Sequence, residues 1–255
     1  MDETIKSFHD YRTEKRLEIT TMHTIIHNLE IELRDKDKTL LIASYIVLTY
    51  AYWESCFHKF QHLLFLKYKT IPIKDLPFSL KKLIYLELAK QAFGSNRNKT
   101  IQEIKNHEVF DSLQREMHKY DEFTISSIDN SNKFSHIFLD KTQNPNISLM
   151  NTLLKKYHIN LHQILSTSEI GNFFEKGLSF IISQRNSIAH RNETIFYNER
   201  PYSDFHSCFN DFKNNENLDL QITTIEDFIK EMTFQINLFF NVLVDNIIQR
   251  GSDNV

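Results

Sequence analysis

The chain has 255 residues, a net charge of −3, and only four glycines and four prolines. So few turn formers exclude a sheet protein, which needs a turn roughly every eight to twelve residues. The mild acidity excludes nucleic-acid binding through bulk charge, so any such contact must rest on a local site.

Residues 3–33 read as a long amphipathic helix, with Ile5, Phe8, Tyr11, Leu17, Ile19, Met22, Ile25, Ile26, Leu29 and Leu33 recurring at three- and four-residue steps. The charged run Arg34–Lys38 is expected as a hinge short enough to join two antiparallel helices. Residues 39–68 form the most apolar helix, hydrophobic nearly all round in its first half and therefore expected at the centre of the fold. Trp53, the single tryptophan, and Glu54 lie near its middle. Its apolar run Leu40–Trp53 is shorter than the roughly 20 residues that span a bilayer, so it reads as a core helix and no membrane segment is expected. Cys56 and Cys208 imply no disulfide framework, and the polar N-terminus reads as carrying no signal peptide; both point to the cytoplasm.

The stretch Thr70–Pro77 breaks the second helix, and Pro77-Phe78-Ser79 opens a third to about Phe93, closed by Gly94-Ser95-Asn96. Helical pattern continues to Tyr120 and then weakens. Phe123–Ile125 and Phe134–Leu139 are expected as short extended pieces, Asn144-Pro145-Asn146 as a turn, and 147–157 as helix. Ser168-Glu169-Ile170-Gly171 offers capping groups for a helix that carries Phe173, Phe174, Leu178, Ile181, Ile182, Arg185 and Ala189 on one stripe. Residues 192–222 read as a polar and aromatic loop, and a loop of that length is often functional. A last long helix opens at Thr223–Glu226. The expectation is one helical domain over 1–255, with an insertion at about 95–165.

Catalytic chemistry is concentrated in Gln184-Arg185-Asn186-Ser187-Ile188-Ala189-His190-Arg191-Asn192. An arginine followed by a histidine after four to six intervening residues occurs three times: Arg16 and His23, Arg185 and His190, Arg200 and His206. Only Arg185 ends a buried apolar stripe and stands beside Asn186. The bland alternative is a helix-end arginine paired with Glu54 and a histidine capping the last carbonyls.

Arg185-Asn186-Ser187-Ile188-Ala189-His190 resembles the signature of the HEPN superfamily, and Tyr50-Ala51-Tyr52-Trp53-Glu54 resembles the second helix of its bacterial toxin–antitoxin and anti-phage branch. Residues 95–165 have no counterpart in the resemblance, and Arg191 stands where many relatives carry glycine. The resemblance implies an all-α, HEPN-like antiparallel helical bundle that dimerises and cleaves RNA without a metal or other cofactor. Arg185, His190 and Asn186 from two copies would form the site, with Glu54 orienting Arg185 or His190. It also implies an antitoxin or defence-system partner protein. Residue chemistry suits the reading. Histidine moves protons near neutral pH, and arginine presents a permanent, planar fork of donors to phosphate. Arg191, Arg200, Lys176 and Lys213 are the candidate cations for an RNA groove. A catalytically silent module that binds RNA, nucleotide or a partner protein is the alternative, and a purely structural adaptor is a third reading.

Metal binding is weighed on His23 and His27, and on the stripe Glu54-His58-His62. Two histidines four residues apart can chelate zinc. With twelve histidines such pairs arise by chance, and neither an HExxH motif nor a cysteine pair at ligand spacing accompanies them.

Overall fold

The computed structural model describes residues 2–29, 34–92, 118–128, 134–139, 144–166, 170, 173–191, 195–218 and 222–252. Helix accounts for about 79 % of them, and one two-stranded hairpin is the only sheet among them, so the fold is all-α. The helices are α1 (Asp2–Leu29), α2 (Asp35–Tyr68), α3 (Phe78–Ala92), α4 (Ile125–Ile128), α5 (Ser135–Phe138), α6 (Ile147–Lys156), α7 (Leu161–Ser166), α8 (Phe174–Arg191), α9 (Phe205–Asn215) and α10 (Ile225–Ser252). The hairpin, β1 (Ile195–Tyr197) and β2 (Arg200–Tyr202), lies between α8 and α9. The chain divides into two compact units: Phe60–Lys141 with Thr152–Ile159, and Asp2–Lys59 with Thr142–Asn151 and Asn160–Val255.

In the larger unit, four long helices share one core, and their directions follow from the contacts. Phe8 meets Phe240, Arg12 bonds to Asn237 and Asn241, and His23 meets Asp227, so α1 and α10 run antiparallel. His23 against Tyr45 and Lys59 over Tyr11 set α1 antiparallel to α2. Phe174 against Phe239 and Phe180 against Phe228 set α8 antiparallel to α10. Trp53 is fully buried where these helices meet, with ring centroids 5.5 Å from Phe240, 5.9 Å from Phe239 and 6.4 Å from Phe174. Each such aromatic pair contributes about 0.5–1.5 kcal/mol beyond its area burial. The central place expected for α2 is therefore observed. Its first half is not buried all round, however: Ile42, Tyr45, Ile46, Tyr50 and Trp53 face inward, while Leu40, Val47 and Leu48 are exposed. By length and composition α2 also suffices to cross a membrane, yet half of its most apolar window is buried inside the fold.

The smaller unit packs Phe65 on Phe138 and Tyr68 on Tyr157. Ile73 and Lys74 donate their backbone N–H groups to Phe123 and Asp121, beside a single bridge between Pro72 and Thr124.

Several local expectations change. The Arg34–Lys38 hinge is largely helix: α2 begins at Asp35, and Arg34 pairs with Asp37, because acidic residues in a first turn suit the helix dipole. Phe134–Leu139 is not extended; Ser135–Phe138 is one helical turn that buries Ile137 and Phe138. Phe123–Ile125 is extended only as far as the Thr124 bridge, after which α4 starts. The largest change is at 192–222, where the expected loop is a hairpin followed by α9. Asn198 and Glu199 both take positive φ, 47° and 64°, which closes a two-residue hairpin turn. Asp204 then caps α9 by accepting from the Ser207 N–H at 2.7 Å. Phe205, Cys208, Phe209 and Phe212 form its buried stripe. The helix end at Gly94–Asn96, the helical run from 97 to 117 and the cap at Ser168-Glu169 lie outside the described residues.

Candidate functional site

Three features of α8 hold its C-terminal turns in place. Gly177 lies so close to α10 that a Cβ there would stand 2.5 Å from the Met232 sulfur and 3.1 Å from Phe228. Phe180 stacks on Phe212 at 4.4 Å and meets Tyr197 edge-on at 5.8 Å, joining α8 to α9 and the hairpin. Gln184, fully buried, donates from Nε2 to the Phe196 carbonyl at 2.8 Å. The aromatic packing and this amide bond fix the turn that follows, which is the motif. Sequence reasoning did not single out Gln184. The signal was an amide at the last buried position of an apolar stripe, a place where a polar group is kept for its bonds; Nε2 makes one, while Oε1 has no partner among the described residues.

Arg185 is half-buried. Its guanidinium lies over the Tyr50 ring, 4.8 Å from the centroid, and Nη1 donates to Asn186 Oδ1 at 3.2 Å. Tyr50 is buried, and its single hydroxyl proton is shared between Asn144 Oδ1 at 3.1 Å and the more distant Glu54 Oε1 at 3.4 Å. Burial, then the Glu54 carboxylate, push the Tyr50 phenol up to about 12, with the Arg185 charge pulling the other way. Tyr50 is therefore a neutral ring and a donor at any physiological pH. Arg185 and Glu54 form no ion pair among the described residues, so the expected direct pairing is replaced by one through Tyr50. Glu54 is held one hydrogen bond away from the arginine's support.

His190 is exposed near the end of α8 and makes no hydrogen bond or ion pair among the described residues. Helix geometry separates it from Arg185: five residues turn about 140° around the axis and rise about 7.5 Å. Asn186 and His190, four apart, share a face. Asn186 gives its oxygen to Arg185, so it links the arginine to the histidine's face.

The remaining candidates are dispersed. Lys176 lies nine residues before Arg185, about 13 Å along the helix, and bonds to the Glu216 carboxylate and carbonyl. Lys213 donates to the Ile222 carbonyl. Arg200 is exposed on β2. Arg191 ends α8, and its side chain lies outside the described residues. His23 is bonded to Asp227 at 3.1 Å and stacked on His27. Among the described residues no three His, Cys, Asp or Glu side chains converge as a metal site would require.

The all-α fold and a family-model match that covers most of the chain place it in the HEPN superfamily. Within it, the chain belongs to the RiboL-PSP-HEPN family, whose model matches residues 11–232. That match includes both the Tyr50–Glu54 segment and the Arg185–His190 motif, and it runs through residues 95–165. No curated protein and no solved structure matches the chain.

Proposed function

We propose that this protein is a metal-independent endoribonuclease whose site is completed by a second copy of the chain. The observation that carries the reading is the state of Arg185: its face rests on Tyr50, one edge donor is used by Asn186, and among the described residues the rest of the fork has no partner, which suits it to a phosphate. An arginine held by its face keeps its edges for a bidentate anion, the geometry in which guanidinium binds phosphate best. The second element is His190, exposed at the next turn and without a hydrogen-bond partner among the described residues.

In the proposed reaction the ribose 2′-oxygen attacks the adjacent phosphorus. A histidine takes the 2′-hydroxyl proton, the bond from phosphorus to the 5′-oxygen breaks, and that oxygen receives a proton. The products are a 2′,3′-cyclic phosphate and a 5′-hydroxyl. Arg185 neutralises the charge that builds on the phosphate, the step where a fixed positive group contributes most. One histidine cannot be both base and acid in the same event without a proton relay. The 140° divergence of Arg185 and His190 on one helix also favours partners from another copy. Two copies supply two histidines, one for each proton. A cytoplasmic setting, and a role in defence or as a toxin with a neutralising partner protein, are proposed with this reading.

The test is expression of wild type and His190→Ala in one host, followed by inspection of total RNA and of purified protein on RNA in EDTA. Cleavage by wild type that persists in EDTA and is lost in the variant supports the proposal. Equal RNA integrity with two folded proteins overturns it and leaves a binding module. Mixing wild-type with His190→Ala chains tests the composite site: cleavage that falls with the square of the wild-type fraction supports two contributing copies, and a fall in simple proportion to that fraction opposes them.

A further inference from the structure

We infer that Tyr50, oriented by Asn144, is the positioning residue that sets Arg185 for phosphate; this rests on the reading above. Arginine carries four rotatable side-chain bonds, and its ordering costs entropy unless the fold has already spent it. A carboxylate would order the guanidinium by its edges and occupy the donors a phosphate needs. A ring orders it by its face and leaves the edges open. Tyr50 does the second, with the guanidinium carbon 4.8 Å from its centroid. It also engages the nearby carboxylate, since its hydroxyl reaches Glu54 Oε1. Glu54 is thereby turned toward the phenol rather than the arginine.

The ring itself is fixed from behind. Tyr50 is 1 % exposed, and its hydroxyl donates to Asn144 Oδ1. Asn144 sits in a left-handed backbone conformation, φ 78°, that asparagine tolerates better than most residues. The carbonyl of the next residue, Pro145, accepts the Trp53 indole N–H at 2.7 Å. Two α2 residues one turn apart therefore grip the same two-residue turn, and Trp53 is locked among Phe174, Phe239 and Phe240. A chain of fixed contacts runs from the core through Asn144 and Tyr50 to Arg185. No residue of the 144–145 turn belongs to the Arg-x4-His motif.

The experiment compares Tyr50→Phe, Tyr50→Leu, Asn144→Ala and Arg185→Ala with wild type. Single-turnover cleavage of total host RNA, RNA affinity and thermal midpoint are measured for each. Tyr50→Phe keeps the ring but loses the bond to Asn144, and is expected to slow cleavage several-fold, as Asn144→Ala does. Tyr50→Leu removes it and is expected to slow cleavage by roughly 10- to 100-fold, with RNA affinity changed far less, because a misplaced group loses transition-state contacts first. Asn144→Ala frees the ring and is expected to slow cleavage several-fold. A folded Tyr50→Leu that cleaves at the wild-type rate while Arg185→Ala is inactive overturns this inference alone. If Tyr50→Leu does not fold, a wild-type rate in Asn144→Ala overturns it and a slowed rate supports it. An active Arg185→Ala overturns the endoribonuclease reading itself.

Discussion

Among the described residues two arginines lie over aromatic rings, and their surroundings differ. Arg12 sits 4.7 Å over Phe8, and Arg185 sits 4.8 Å over Tyr50. Arg12 is 2 % exposed, and its Nη1 donates to the Asn237 carbonyl at 3.0 Å and to Asn241 Oδ1 at 2.8 Å. Burial pulls its pKa down, and nearby Tyr52, Cys56 and Asp245 oppose that pull. This is a cation used up inside the chain, a clamp between α1 and α10. Arg185 has the same stacking, one bond to its neighbour Asn186, and partial exposure. The comparison teaches that ring stacking alone does not mark a site. What marks it is stacking combined with donors that remain accessible: the Arg12 Nε also has no partner among the described residues, but it is buried.

The sharpest way to break the comparison is to remove each arginine. Arg185→Ala or His190→Ala is expected to lower RNA cleavage by at least about 10²–10³-fold, the scale of losing one charge-stabilising donor. Its stability should fall by no more than about 1 kcal/mol, the worth of a cation–π contact at a half-exposed site. Arg12→Ala should do the reverse: a loss of about 2–4 kcal/mol in urea unfolding, from broken charged hydrogen bonds and orphaned asparagine acceptors, with the cleavage rate per folded molecule retained. A destabilised Arg185→Ala with an intact Arg12→Ala would invert the assignment.

A finer cut replaces arginine with lysine. Arg185→Lys keeps the charge and loses the planar fork, so cleavage should fall by about tenfold, read in the same single-turnover assay. The smallest effect concerns His23, which belongs to the Arg16–His23 spacing and is bonded to Asp227. Burial alone would push the Asp227 carboxyl up, but the Thr224 hydroxyl, the His23 ring and Lys230 outweigh it and hold it below its ordinary value. A carboxyl depressed in the folded state stabilises above its unfolded value, near 3.9, and loses that contribution as pH falls through the folded value. Asp227→Asn should therefore cost at most about 1 kcal/mol at neutral pH, since the pair is half-exposed, and nothing at low pH. A loss of cleavage in His23→Ala would show that the comparison has chosen the wrong histidine.

Much of this was legible in the chain. Apolar steps of three and four residues locate α1, α2, α8 and α10, and Arg185, Asn186 and His190 stand out by their place after a buried stripe. What the one-dimensional pattern concealed has physical causes. The 192–222 segment reads as loop because its elements are too short to show a period: a three-residue strand pair closed by Asn198 and Glu199, then an 11-residue helix. Yet Asp204 three residues before Ser207, and the 205, 208, 209, 212 spacing, are a cap and an apolar stripe. Tyr50 was visible only as part of a segment, because its role depends on a residue about 135 positions away. Glu54 was expected to meet Arg185, and proximity along a helix face gives no sign that a phenol stands between them.

The most direct test of the central claim is the chemistry of the RNA ends. Purified wild-type protein is incubated with RNA in excess EDTA, and the products are analysed for terminal groups beside those from His190→Ala. Attack by the 2′-hydroxyl predicts fragments ending in 2′,3′-cyclic phosphate, with 5′-hydroxyl partners, formed by wild type and absent with the variant. Fragments with 5′-phosphate ends, cleavage abolished by EDTA, or equal cleavage by folded His190→Ala would contradict it.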